Sequence, residues 1–67
     1  MELQAQVGET AGKVWNLLNA RGPQTLPQLK KSLDGAGKLV GLAVGWLARE
    51  DKVTVTQEKK SFKVALR

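Results

Sequence analysis

The residues best placed to do chemistry in this chain are its cations. Lys30 and Lys31 stand together, Lys38 and Arg49 flank an apolar run, and Lys52, Lys59, Lys60, Lys63 and Arg67 crowd the last quarter. Only Glu58 opposes them in residues 52–67, a local net of +4 within a chain of net charge +5. A local basic excess suits a polyanion such as a phosphate backbone. The other reading is a solvated face that keeps a small protein soluble. The remaining chemistry is thin. The chain has no cysteine and no histidine, hence no thiolate nucleophile and neither the commonest metal ligand nor the commonest neutral-pH acid–base group. Its six carboxylates are scattered, and Glu50 and Asp51 are adjacent, so they do not face each other on a helix. Gly35-Ala36-Gly37-Lys38 lacks the spacing and the Ser/Thr ending of a phosphate loop. General acid–base catalysis needs a tuned group in a pocket. The chain is therefore expected not to be an enzyme and to hold no metal or cofactor.

Whatever binds must be positioned by one small domain, residues 1–67, near the lower limit for folding alone. Apolar residues make up 42% of the chain, enough for a small core, so pairing of subunits would add buried surface. No apolar run approaches the ~20 residues of a membrane span. The first ten residues lack the basic and apolar regions of a signal peptide. A cytoplasmic protein with no membrane partner is expected.

Residues 1–6 carry little pattern and are expected to fray or to form a short pairing arm. From Val7 the spacing of Val7, Ala11, Val14 and Leu18 predicts a helix, closed by Gly22 and Pro23. Gly8 and Gly12 share one side of it and are expected to let another element of the fold approach closely. Gln24-Thr25-Leu26 reads as a short extended stretch able to pair with a later hairpin. Pro27 to Leu33 reads as a second, two-turn helix, and the glycine-rich Asp34-Gly35-Ala36-Gly37 as a turn.

A third helix follows, between Gly37 and the start of a hairpin at Val53. At roughly 100° per residue, Val40, Val44 and Leu47 form its inward stripe. Lys38, Leu42, Gly45 and Arg49 fall near the opposite pole, with Leu39 and Trp46 on one flank and Gly41 on the other. Residues 52–67 then alternate as two strands: Val53 with Val55, and Phe62, Val64 and Leu66 on one face with Lys63, Ala65 and Arg67 opposite. The polar stretch Gln57 to Ser61 is the expected loop, with Lys59 and Lys60 at its tip. Helix, short strand, two helices and a hairpin give an α+β, mainly helical architecture, a winged helix-turn-helix whose hairpin is the wing.

Ala11-Gly12 and Trp15, Leu26 and Leu29, and Ala43 with the run Gly-Trp-Leu-Ala-Arg-Glu at residues 45–50 carry a resemblance. The chain resembles a small stand-alone winged helix-turn-helix family of bacteria and archaea, a domain of unknown function. The resemblance spans nearly the whole length and implies a compact, homodimeric protein. Gly35-Ala36-Gly37 departs from that family's more polar turn, which leaves the start of the third helix open. DNA binding follows from the resemblance only by analogy with other winged helices.

Two functions are weighed on these residues. In the first, Lys38 and Arg49 of the third helix reach double-stranded DNA while Lys30, Lys31, Lys59, Lys60 and Lys63 contact phosphates. The third helix has no Asn or Gln, and only Arg49 has a fork suited to guanine. Arg49 has an alternative role in pairing with Glu50, Asp51 or Glu9. Weak sequence specificity and strong salt dependence are expected. In the second, Leu39, Leu42, Gly45 and Trp46 form a self-complementary patch that pairs two copies. Trp46 has a competing expectation, to fold over Trp15 or the hairpin and complete the core, whereas Leu42 is expected at an interface.

Overall fold

The computed structural model describes residues 3–33 and 37–67. Its elements are α1 (Leu3–Arg21), β1 (Gln24–Thr25), α2 (Leu26–Ser32), α3 (Gly37–Arg49), β2 (Val53–Glu58) and β3 (Ser61–Leu66). The order is the one expected from the sequence, and the α+β winged-helix reading holds. The Asp34-Gly35-Ala36 part of the expected turn, and Met1 and Glu2, lie outside the described residues.

Residues 3–6 correct the sequence reading, since they are the first turn of α1 rather than a frayed arm. Leu3, Gln4, Ala5 and Gln6 are all tolerant of helix, and the Gln6 carbonyl accepts from the Thr10 hydroxyl at 2.8 Å. Val7, Ala11, Val14 and Leu18 are the buried stripe of α1, as their spacing requires. The helix stops at Gly22, whose φ of 80° is left-handed and whose N–H donates to the Leu18 carbonyl at 2.8 Å.

A capping box starts α2 one residue earlier than Pro27 suggests. The Thr25 hydroxyl accepts from the Gln28 N–H at 3.3 Å, and the Gln28 side-chain oxygen accepts from the Thr25 N–H at 2.8 Å. Leu26 is thus helical, and only Gln24 and Thr25 remain as strand. The Leu33 N–H donates to the Leu29 carbonyl, which closes the helix one residue short of the expected end.

The end of α3 is a tight left-handed cap. Asp51 takes a φ of 60°, its N–H donates to Ala48 O at 3.1 Å, and the Lys52 N–H donates to Leu47 O at 2.9 Å. This reversal sends Val53 straight from the helix into the core. Arg67, just past β3, fastens the same end of the sheet to this cap, through its N–H to Lys52 O and its guanidinium to the Asp51 carboxylate at 2.9 Å.

The three strands form an antiparallel sheet in the order β1-β3-β2. Its register pairs Val53 with Leu66, Val55 with Val64 and Gln57 with Phe62, which puts these six residues on one face. Glu58 pairs with Ser61, so the wing loop is Lys59-Lys60 alone, shorter than the five-residue loop expected. Lys59 turns the chain with a φ of 46°. The core joins Ala11, Val14 and Leu18 of α1 to Leu29 of α2, to Val40, Ala43, Val44 and Leu47 of α3, and to Val53 and Val64 of the sheet. Burying each large aliphatic side chain contributes about 1.5–3 kcal/mol. Because β3 is central and β2 is an edge, the core face is covered only at its helical end, and Val55 and Phe62 are left exposed further out.

Candidate interaction surfaces

The outward side of α3 carries the side chains that its helical phase predicts. Lys38, Leu42, Gly45 and Arg49 are all exposed, Leu42 at 54%. Leu39 is half-buried on the flank. Lys38 and Arg49 stand at opposite ends of the helix, roughly 16 Å apart by helical rise, so the fold does not bring them together. Arg49 makes no ion pair among the described residues. Asp51, one of its expected partners, is taken by Arg67.

Trp46 is not core. It is 47% exposed and faces α1, where it lines a groove with Trp15, itself 37% exposed. The physical reason lies opposite it. Gly8 and Gly12 also line this groove and offer no side chain to close over an indole. A methyl group at either glycine would meet nothing within 4 Å, so the expectation that they admit a close approach within the fold is overturned. Trp46 therefore belongs with Trp15, Asn16 and Lys52 rather than with Leu42 and Gly45.

On its other flank α3 borders the wing. Leu26, Gly41, Val44, Gly45, Val55 and Phe62 line an apolar groove of about 270 Å³. A methyl group at Gly41 or Gly45 would likewise meet nothing, so the glycine edge is an open floor. Phe62 is 45% exposed at its outer wall. Sequence reasoning missed Val55 and Phe62 as surface residues. The alternation places them on the correct face, but does not reveal that the hairpin outruns the helices beneath it.

The lysines divide into those gathered at one edge and those left apart. Lys30 of α2 and Lys60 of the wing line one cleft, with Leu26, Pro27, Ser61 and Phe62. Lys59 and Lys60 sit together at the wing tip between Glu58 and Ser61. Lys63 lies on the opposite face of β3 from Phe62, between Thr25 and Thr56. Lys31 is exposed on α2 and Lys38 at the start of α3. None of these cations has a carboxylate within ion-pairing distance among the described residues. An ammonium held without a carboxylate partner keeps its full field for an external anion.

No helix of the described residues is long and apolar enough to cross a membrane. Among those residues no group of three acidic or metal-ligating side chains is gathered that could hold a metal ion.

A family model described as "Winged helix-turn-helix domain (DUF2582)" matches residues 1–66. The uncharacterized protein MJ1608 of Methanocaldococcus jannaschii is 39% identical over 69 residues, covering 98% of this chain and 97% of its own. Among solved structures, the solution NMR structure of protein BT2368 from Bacteroides thetaiotaomicron is 33% identical and superposes with a TM-score of 0.81. That match covers 98% of this chain and 80% of the other. The resemblance carried by residues 45–50 and their partners is borne out over nearly the whole length.

Proposed function

The chain belongs to this winged helix-turn-helix family, and from that premise we propose that it works as a homodimer that meets double-stranded DNA through the lysine edge of α2 and the wing, not through α3. The observation that carries this reading is the outward side of α3. A base-reading helix presents several of Asn, Gln, Arg or Lys from its first turns into the major groove, and α3 has Lys38 alone there. Here the exposed middle is Leu42, and beside it the Gly41–Gly45 edge opens onto Val55 and Phe62. A contiguous apolar surface of this kind is the signature of a protein interface. The same patch on two copies pairs by a twofold axis. Lys30, Lys59 and Lys60 stand at its margin, where they remain available to phosphates. Lys31, exposed on α2, and Lys63, on the opposite face of β3, stand apart from that edge and add to the general basic field. Contacts of this type fix position and carry no sequence information, so specificity is weak. Lys38 and Arg49 contribute only where α3 stays uncovered. A cytoplasmic setting goes with a DNA partner.

The apolar side of α3 also favours a second reading, an interaction module with no nucleic-acid partner. A mobility shift with mixed-sequence duplex, run beside light scattering, separates the two. The first reading expects a dimer mass and a salt-sensitive shift that Lys59→Glu with Lys60→Glu abolishes. A dimer that gives no shift even at low salt leaves the interaction module.

A further inference from the structure

The groove between α1 and α3 differs from the wing groove in being edged by polar as well as aromatic groups. Both tryptophans of the chain, Trp15 and Trp46, line it and are partly exposed there. Gly8 and Gly12 leave its floor open. The Asn16 amide and the Lys52 ammonium share it, and neither has a side-chain hydrogen bond or ion pair among the described residues. No carboxylate among those residues lines it. Its volume of about 330 Å³ lies at the small end of the ~300–1,000 Å³ typical of ligand sites. That suits one fused ring system and its substituent.

Each wall asks for a different feature in an occupant. Indole faces stack on flat rings, and such stacking is indifferent to which base is presented. An amide with two donors and an acceptor matches the edge of a heterocycle. A lysine that no carboxylate pairs among the described residues takes an anion. We propose that this groove binds a nucleobase together with its phosphate, the ring against Trp15 and Trp46, its edge on Asn16 and the phosphate on Lys52. A free mononucleotide and an unpaired base of a single strand both present this chemistry. The site shares no residue with the Lys30–Lys60 cleft, and it stands whether or not duplex DNA is bound there.

Tryptophan emission of the full chain reads the site directly. It is titrated with adenosine 5′-monophosphate, with adenosine, and with a short unpaired deoxyadenosine strand. Saturable quenching by the monophosphate in the millimolar range or below is expected, with adenosine about tenfold weaker for want of one charge-assisted hydrogen bond. Saturation by the strand alone assigns the site to single-stranded nucleic acid, and saturation by the monophosphate assigns it to a free nucleotide. Lys52→Glu, at an exposed position, should weaken the monophosphate about tenfold and leave adenosine unchanged. Trp15→Leu should weaken all three. If Trp15→Leu does not fold, Lys52→Glu still decides. Absence of saturable quenching by both monophosphate and strand overturns the proposal. So does equal quenching by adenosine and monophosphate that Lys52→Glu does not alter. Emission that follows protein concentration instead of nucleotide also overturns it, because a second copy then covers the tryptophans.

Discussion

Lys30 of α2 and Lys60 of the wing tip face one cleft, although each reads in the sequence as part of a separate basic pair. The β1–β3 pairing brings them together: Gln24 opposes Val64 and Thr25 opposes Lys63, so the start of α2 is held against the outer half of the hairpin. The cleft therefore offers two ammonium groups to neighbouring phosphates of one backbone. Each phosphate neutralised on duplex DNA steepens the dependence of log K on log salt by about 0.9. Lys60→Ala and Lys30→Ala should each weaken duplex binding across all sequences, and each should flatten that slope by about 1. Fluorescence anisotropy at several salt concentrations measures it. A slope that neither substitution changes would remove these two lysines from the interface.

Leu42→Glu places a carboxylate in the exposed middle of α3, outside the core. The folded domain should be retained, and light scattering should return the monomer mass. Phe62→Ser, in the wall of the wing groove that α3 edges with Gly41 and Gly45, should act in the same direction. A dimer mass unchanged in both would place the interface elsewhere.

Gly12→Ala tests the open groove floors. The added methyl meets nothing within 4 Å, and an interior glycine costs a helix roughly 0.5–1 kcal/mol relative to alanine. Thermal or urea unfolding should show stabilisation of about that size. Gly45→Ala should bring the same gain to the isolated fold, but should weaken self-association if a partner's side chains occupy that floor. Destabilisation of both would mean that these glycines are needed inside the subunit.

Thr25→Ala removes the hydroxyl that accepts from the Gln28 N–H and breaks the capping box at the start of α2. The expected cost is about 0.5–2 kcal/mol in urea unfolding. Because Thr25 also pairs with β3, its loss should loosen the packing of α2 on the wing and raise amide exchange from Leu26 through Leu29. Full stability in the variant would show that Pro27 alone sets the helix start.

Local rules carry most of the fold. The phase of Val40, Val44 and Leu47 is fixed by helical geometry, and Gly22 before Pro23 by backbone conformation, so both are legible in the sequence. The start of α2 is harder to place because Pro27 draws the boundary to itself, while the Thr25–Gln28 spacing that sets the cap is equally present. Trp46 shows the limit for the candidate surfaces. Its flank on α3 follows from the sequence, but its exposure depends on Gly8 and Gly12 standing opposite, which only the packing of α1 against α3 reveals. The meeting of Lys30 with Lys60, and the uncovered Val55 and Phe62, are likewise consequences of strand order rather than of any local pattern.

Amide shift mapping with a mixed-sequence duplex at low salt tests the central claim most directly, that the basic edge and not α3 meets DNA. Shifts should concentrate at Lys30, Lys59, Lys60 and their neighbours and fade with added salt, while Leu42 and Gly45 stay in place. Shifts centred on Leu42 to Arg49, with the wing tip unmoved, would contradict it.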